Sequence, residues 1–396
     1  MPLFNAVAYV GSLIQSAGSI GPHFFQMKDI GAIQATMDRA VRDGVFPGGV
    51  LAARASGEDT ILVVTGRLSS QPAADRVQAS TIYDLASLTK PLATVTSVLL
   101  LVQAGSLKLD AAVGDVLVEL KHAPIGSASV RDLLSHRSGL PGWRPLYERL
   151  IAEGCAWGRA DPSVVRQSVL RLIRDEPLVS PVRTQSLYSD LGFILLGCAV
   201  ERVSGLLFDQ YVREAVTEPL RAKALFFHRM NARNSGESGM TATTEWDAWR
   251  KRWLQGEVHD ENAAAMGGVA GHAGLFGTAE SVLAVSGAWL AAYHGGGSLL
   301  DPSLVREFTT KTAHPTPSSW ALGWDTPTTP SSSGTHFSAE SFGHLGFTGT
   351  SLWIDPIRHL EVVLLTNRVH PTRKNESIRV FRPLIHDVVY RVLTGT

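Results

Sequence analysis

The chain has 396 residues, which suits two or three domains, with 44% hydrophobic and only 18% charged residues. That balance buries a large core and excludes disorder over most of the length. Lys+Arg and Asp+Glu are both 36, a formal net charge of zero, which argues against a nucleic-acid or anionic-membrane partner.

The two cysteines, Cys155 and Cys198, build neither a disulfide framework nor a thiolate zinc site and read as buried small residues. The longest apolar run, 95–102, falls short of the roughly 18 residues that span a bilayer. Residues 1–22 carry no charged side chain, yet nothing basic precedes Lys28, as the cationic start of a signal peptide requires. Residues 1–26 are therefore expected to be a loosely attached leader on a cytoplasmic protein, a secretory leader being the alternative.

From Met27 the chain becomes regular. Ile30, Ile33, Met37 and Val41 recur at helical spacing until Gly44 and Pro47-Gly48-Gly49 stop the helix. Residues 50–55 and 60–66 predict a hairpin across a turn at 56–59. A strongly apolar helix is expected over 87–104, ended by Gly105. Helical segments separated by Gly, Pro and Ser loops follow, at 130–134, 162–174, 190–203 and 208–216. Strands are predicted at 319–324, 342–345, 350–354 and 360–366, and a closing helix at 375–393. The Pro/Ser/Thr-rich stretch 326–338 reads as a mobile surface loop.

The fold class expected is α/β (α+β), an antiparallel sheet flanked by helices. Residues 27–105 and 281–396 would complete that sheet domain around an inserted, mostly helical domain at 106–280. Their junction is the natural place for a site.

No serine has glycine at both −2 and +2, so the strand–serine–helix elbow of α/β-hydrolases is missing. A Ser-x-x-Lys occurs at Ser87-Leu88-Thr89-Lys90. The spacing alone is uninformative, and an exposed lysine beside a serine cap is the plain alternative. Context favours chemistry: i and i+3 share a helix face, the helix start offers free N–H groups to an oxyanion, and Lys90 is the only charge between Asp84 and Lys108.

Leu85-Ala86-Ser87-Leu88-Thr89-Lys90, then Leu133-Leu134-Ser135-His136-Arg137-Ser138-Gly139-Leu140-Pro141, then Tyr188-Ser189-Asp190-Leu191-Gly192-Phe193, together resemble the serine β-lactamase-like superfamily. Within it the chain is most similar to the class C branch and the family VIII carboxylesterases, from about residue 28 onward. The resemblance implies Ser87 as nucleophile, Lys90 as its base partner and Tyr188 as second acid/base. It also matches His344-Leu345-Gly346 to the superfamily's Lys-Thr-Gly, with the Phe347 N–H as second oxyanion donor. Lys311-Thr312-Ala313 is a nearer literal match but lacks the glycine.

Two departures steer the substrate. His344 offers far less charge than lysine to a substrate carboxylate. Asp190 stands where class C enzymes carry Asn, so it cannot donate to an acyl-amide oxygen and would repel an anion. If Asp190 touches Lys90, it favours the ammonium and hands the base role to Tyr188.

The expectation is thus a carboxylesterase for small-molecule esters of short or medium acyl chain, without cofactor, as a monomer or small homo-oligomer. A β-lactamase or D-alanyl peptidase, an acyltransferase and a non-turnover penicillin sensor are the alternatives. His259-Asp260-Glu261 with His272 reads as a turning loop rather than a metal site. Trp143, Trp157, Trp246, Trp249 and Trp253 are candidates for an acyl pocket.

Overall fold

The computed structural model describes residues 27–55, 59–155, 160–230, 240–313, 315 and 318–395. The expected leader 1–26, residues 56–58 of the expected turn at 56–59, and Trp157 lie outside them. Among the described residues ten strands occur: β1 (Gly48–Arg54), β2 (Ile61–Gly66), β3 (Tyr83–Asp84), β4 (Leu225–Phe227), β5 (Trp246–Asp247), β6 (Arg252–Trp253), β7 (Leu275–Gly277), β8 (Phe342–Leu345), β9 (Ser351–Asp355) and β10 (Leu360–Thr366).

The main sheet is antiparallel in the order β2-β1-β10-β9-β8, so strands from both ends of the chain complete one layer. Its centre is the β1–β10 ladder, with Val50 opposite Leu365 and Ala52 opposite Val363. Side chains alternate across it as a period of two requires. Leu51, Ala53, Val362 and Leu364 pack under the first helix (Met27–Arg42) and the last (Ile378–Thr394), against Ile33, Met37, Phe381 and Ile385. Val50, Ala52, Val363 and Leu365 face the larger core on the other side, which holds the helices Asp190–Ser204 and Ala279–Tyr293. Both faces are covered, which is why β1 and β10 read as nearly unbroken apolar runs.

A second, three-stranded sheet, β3-β7-β4, lies where the chain enters the apolar helical run. That run, Ala86–Gln103, has the length and apolarity of a membrane span by composition, and 78% of it is buried within the fold as a core helix. The sequence expected a uniform helix. Instead it begins as a 3₁₀ turn (Ala86–Leu88), widens into a π-helix (Lys90–Val95) and becomes α-helical only at Thr96–Gln103. Pro91 has no N–H to return to the Ser87 carbonyl, so the ordinary helical register cannot be kept there.

Two expectations fail here. Residues 319–324 are not a strand; Trp320 makes only an isolated bridge to Asp325, which in turn bridges to Gly343. The stretch 326–338 is not a free loop. Asp387 on the last helix accepts from the Thr335 N–H (2.7 Å), and His336 stacks on Tyr390 at 4.9 Å.

Candidate active site

Ser87 stands on the 3₁₀ turn that follows β3. Local rules alone do not favour this turn, because Ala86 has φ +48°, a left-handed conformation that costs a non-glycine residue about 1 kcal/mol or more. Surrounding bonds hold it. The Ala86 N–H donates to Asp84 Oδ1 (2.9 Å), and Thr89 Oγ1 donates to the Ala86 carbonyl (2.6 Å).

Lys90 and Tyr188 both reach the Ser87 hydroxyl. Lys90 Nζ lies 3.0 Å from Ser87 Oγ and Tyr188 OH lies 2.9 Å from it. Lys90 is fully buried and also donates to the His272 carbonyl at 3.0 Å. Asp190 Oδ1 is 2.7 Å from Nζ. At that distance the ammonium and the carboxylate form a buried ion pair. Burial works to lower the Lys90 pKa, but the Asp190 carboxylate and the Tyr188 oxygen outweigh it and raise it. Burial pushes the Tyr188 phenol up to about 12, aided by Asp190 and opposed by Lys90 and Ser87. At rest the pair is an ammonium beside a phenol.

His136, of the second motif, backs Tyr188. It is buried, at φ +55°, and its Nδ1 accepts the Ser189 N–H at 3.0 Å, which fixes the segment carrying Tyr188. Its ring lies 4.7 Å from that of Tyr188. Burial, with Lys90 nearby, holds it neutral, well below the usual histidine range.

The opposite rim is the turn after β8. Gly346 donates its N–H to the Thr350 carbonyl (2.7 Å), and a Cβ there would meet Thr350 Oγ1 at 1.9 Å and the Leu85 carbonyl at 2.6 Å. Only glycine permits that approach. Arg382, buried on the last helix, donates to the carbonyls of Gly346 and Thr350, both at 2.8 Å. Phe347 is half exposed and faces the cleft. Among the described residues, the backbone N–H groups of Ser87 and Phe347 find no protein acceptor.

His344 is set behind the cleft lining: it is buried, its Nδ1–H donates to the Leu345 carbonyl at 2.8 Å, and its ring sits 6.1 Å from that of Tyr188. Burial, then Lys90, lowers its pKa to about 3, so it brings no charge. Thr312 of the rival Lys311-Thr312-Ala313 clasps the Trp320 carbonyl (2.7 Å) away from the cleft wall.

The cleft encloses about 540 Å³ and is bounded by Ser87, Trp143, Tyr147, Tyr188, Phe347 and the loop 259–261 with His272 and Arg373. Trp249 packs on Tyr147 behind that wall, whereas Trp246 and Trp253 face each other on the β5–β6 ribbon outside it. The histidine–acid loop binds within the protein. His259 Nε2 pairs with Glu245 (3.0 Å), and His272 Nε2 with Asp260 (2.8 Å). Burial opposes ionisation of Asp260, but His272 and the Ala263 N–H outweigh it and hold that carboxyl well below its usual range. Among the described residues, no group of three His, Cys, Asp or Glu is placed to hold a metal ion.

Arg373, which the sequence reading missed, lines the cleft and donates to Glu245 and Glu261 (2.8 Å to Glu261). No local motif marked it, since its partners lie more than a hundred residues away.

The family model described as Beta-lactamase matches residues 33–385. The chain belongs to the beta-lactamase family. As a serine β-lactamase-like hydrolase it is 31% identical over 374 residues to an N-acetylmuramyl-L-alanine amidase of Bacillus subtilis, covering 87% of this chain and 82% of that one. It is 30% identical over 326 residues to a putative D-alanyl-D-alanine carboxypeptidase of Escherichia coli, covering 76% and 72%. Among solved structures it is similar to EstCE1, a hydrolase with promiscuous acyltransferase activity (TM-score 0.73, 21% identity, 92% of this chain and 99% of that one). The octameric penicillin-binding protein homologue of Pyrococcus abyssi shares the fold at TM-score 0.70, with 20% identity over 93% and 78% of the two chains.

Proposed function

We propose that this family member is a carboxylesterase for uncharged esters of short or medium acyl chain, with Ser87 as nucleophile. The observation that carries the reading is charge matching on the cleft wall. Lys90 is paired with Asp190, and Arg373 with Glu245 and Glu261. Among the described residues lining the cleft, no cation is left over for a substrate carboxylate. Asp190 does not act as a free repelling charge, as the sequence suggested; it is spent on Lys90.

Ser87 Oγ attacks the ester carbonyl carbon, and its proton passes to the Lys90/Tyr188 pair. Because both members hold their protons tightly at rest, the competent form is the one in which the pair has lost one proton. The carbonyl oxygen becomes an oxyanion on the Ser87 and Phe347 N–H groups. The C–O bond to the alcohol breaks and the alcohol takes the proton from the pair. Water then attacks the acyl-enzyme, giving its proton to the pair, and Ser87 departs with a proton to release the acid.

The test is steady-state kinetics on p-nitrophenyl butyrate and nitrocefin with Ser87→Ala as control. Ester turnover exceeding nitrocefin turnover by orders of magnitude, and abolished in the variant, supports the reading. Comparable nitrocefin turnover overturns it. The names of the amidase and carboxypeptidase relatives favour a second reading, hydrolysis of a peptide-like amide by the same serine; turnover of D-alanyl-D-alanine peptides above that of the ester would establish it.

A further inference from the structure

We infer that Asp84 is a positioning residue that locks both oxyanion donors into one rigid unit; this rests on the Ser87/Phe347 oxyanion reading above. The Asp84 carboxyl is buried and spans two chain segments. Oδ1 accepts the Ala86 N–H at 2.9 Å, and Oδ2 accepts the His259 N–H at 2.6 Å.

The first bond pins the left-handed Ala86, and the orientation of the Ala86–Ser87 peptide follows from it. That peptide carries the Ser87 N–H. The second bond ties the same turn to the loop of His259 and Asp260 on the cleft wall. The main chain of Asp84 completes the unit: its carbonyl accepts Thr348 Oγ1 at 2.7 Å, and the neighbouring Leu85 carbonyl accepts Thr350 Oγ1 at 3.0 Å. Those threonines lie in, and just after, the turn that presents Phe347. The two donors thus sit on two turns stitched together at Asp84-Leu85, and the tight approach of Gly346 to the Leu85 carbonyl leaves no slack.

Among the described residues, no other group accepts the Ala86 N–H. An amide in place of the carboxyl accepts from only one of the two N–H groups and turns an NH₂ toward the other. Asp84→Asn should therefore let the Ser87 turn relax. Such misplacement acts on the transition state and not on ground-state binding.

The experiment compares wild type, Asp84→Asn and Ser87→Ala on p-nitrophenyl butyrate, with the inhibition constant of butylboronic acid as transition-state analogue. For Asp84→Asn the expected result is a kcat lower by about 10²-fold, with KM within about two-fold. The boronic acid should weaken by a similar factor. Unchanged kcat and boronate affinity in a folded Asp84→Asn protein overturn the inference. A rise in KM alone overturns it as well. If Asp84→Asn fails to fold, Thr348→Val cuts only the tie between the Phe347 turn and the Asp84 carbonyl. A fall in its kcat of about ten-fold at constant KM supports the unit, and unchanged kcat overturns it. Activity surviving in Ser87→Ala would instead remove the reading beneath, so the two failures are distinguishable.

Discussion

The main sheet and the Ser87 turn are held by different means. The sheet is a set of continuous ladders with apolar side chains alternating onto two covered faces. Its residues are interchangeable in kind, because burial is non-directional. The Ser87 turn has a left-handed alanine, a 3₁₀ start and a π-helical continuation, and it keeps its shape through side-chain-to-backbone bonds, some within the turn and some from distant segments. The first region sets stability and the second sets geometry. A change in one should leave the property of the other largely alone.

The largest separation comes from Ile385→Ala. Ile385 is fully buried between the last helix and the sheet, and truncation there costs about 2–5 kcal/mol of stability. Denaturant unfolding should show that loss while kcat at 25 °C stays within about two-fold. A collapse of kcat in the folded variant would erase the distinction.

Gly346→Ala is the converse. Its Cβ cannot coexist with Thr350 Oγ1 and the Leu85 carbonyl where they stand, so the Phe347 turn must retreat. Ester kcat should fall by about 10²-fold, roughly 2.7 kcal/mol in the barrier. The melting temperature should move less than in Ile385→Ala, and the reverse ranking would break the comparison.

Asp190→Asn is smaller and directional. The Asp190 carboxylate raises the Lys90 pKa against a burial effect that lowers it. Without that charge the ammonium loses its proton at lower pH, so the rising limb of the kcat/KM profile should shift toward acid. The wild-type profile should still be climbing above neutrality. A shift toward alkali would contradict the electrostatic account.

Legibility in the sequence follows the same divide. The strands at 342–345 and 360–366 coincide with the expected ranges because β-branched or aromatic residues bounded by turns are a local signal. Ser87, Lys90 and Tyr188 were legible from short motifs, and their side chains meet within 3.0 Å. The clasp of Arg382 was not, because its partners lie more than thirty residues away; the strain at Ala86 and the π-helix at Pro91 arise locally, but no periodicity or capping pattern marks them. Residues 319–324 carry the residue types of a strand but find only isolated bridges. For His344 the strand was readable, but not the burial of its imidazole beside Tyr188, which comes from the packing of distant segments.

The central claim is that Ser87 is the acylated residue. The most direct test is to label the protein with a fluorophosphonate and map the adduct by peptide mass spectrometry. One adduct per chain, on the peptide and residue of Ser87 and missing in Ser87→Ala, is the predicted result. An adduct on another residue, or labelling that persists in Ser87→Ala, would contradict it.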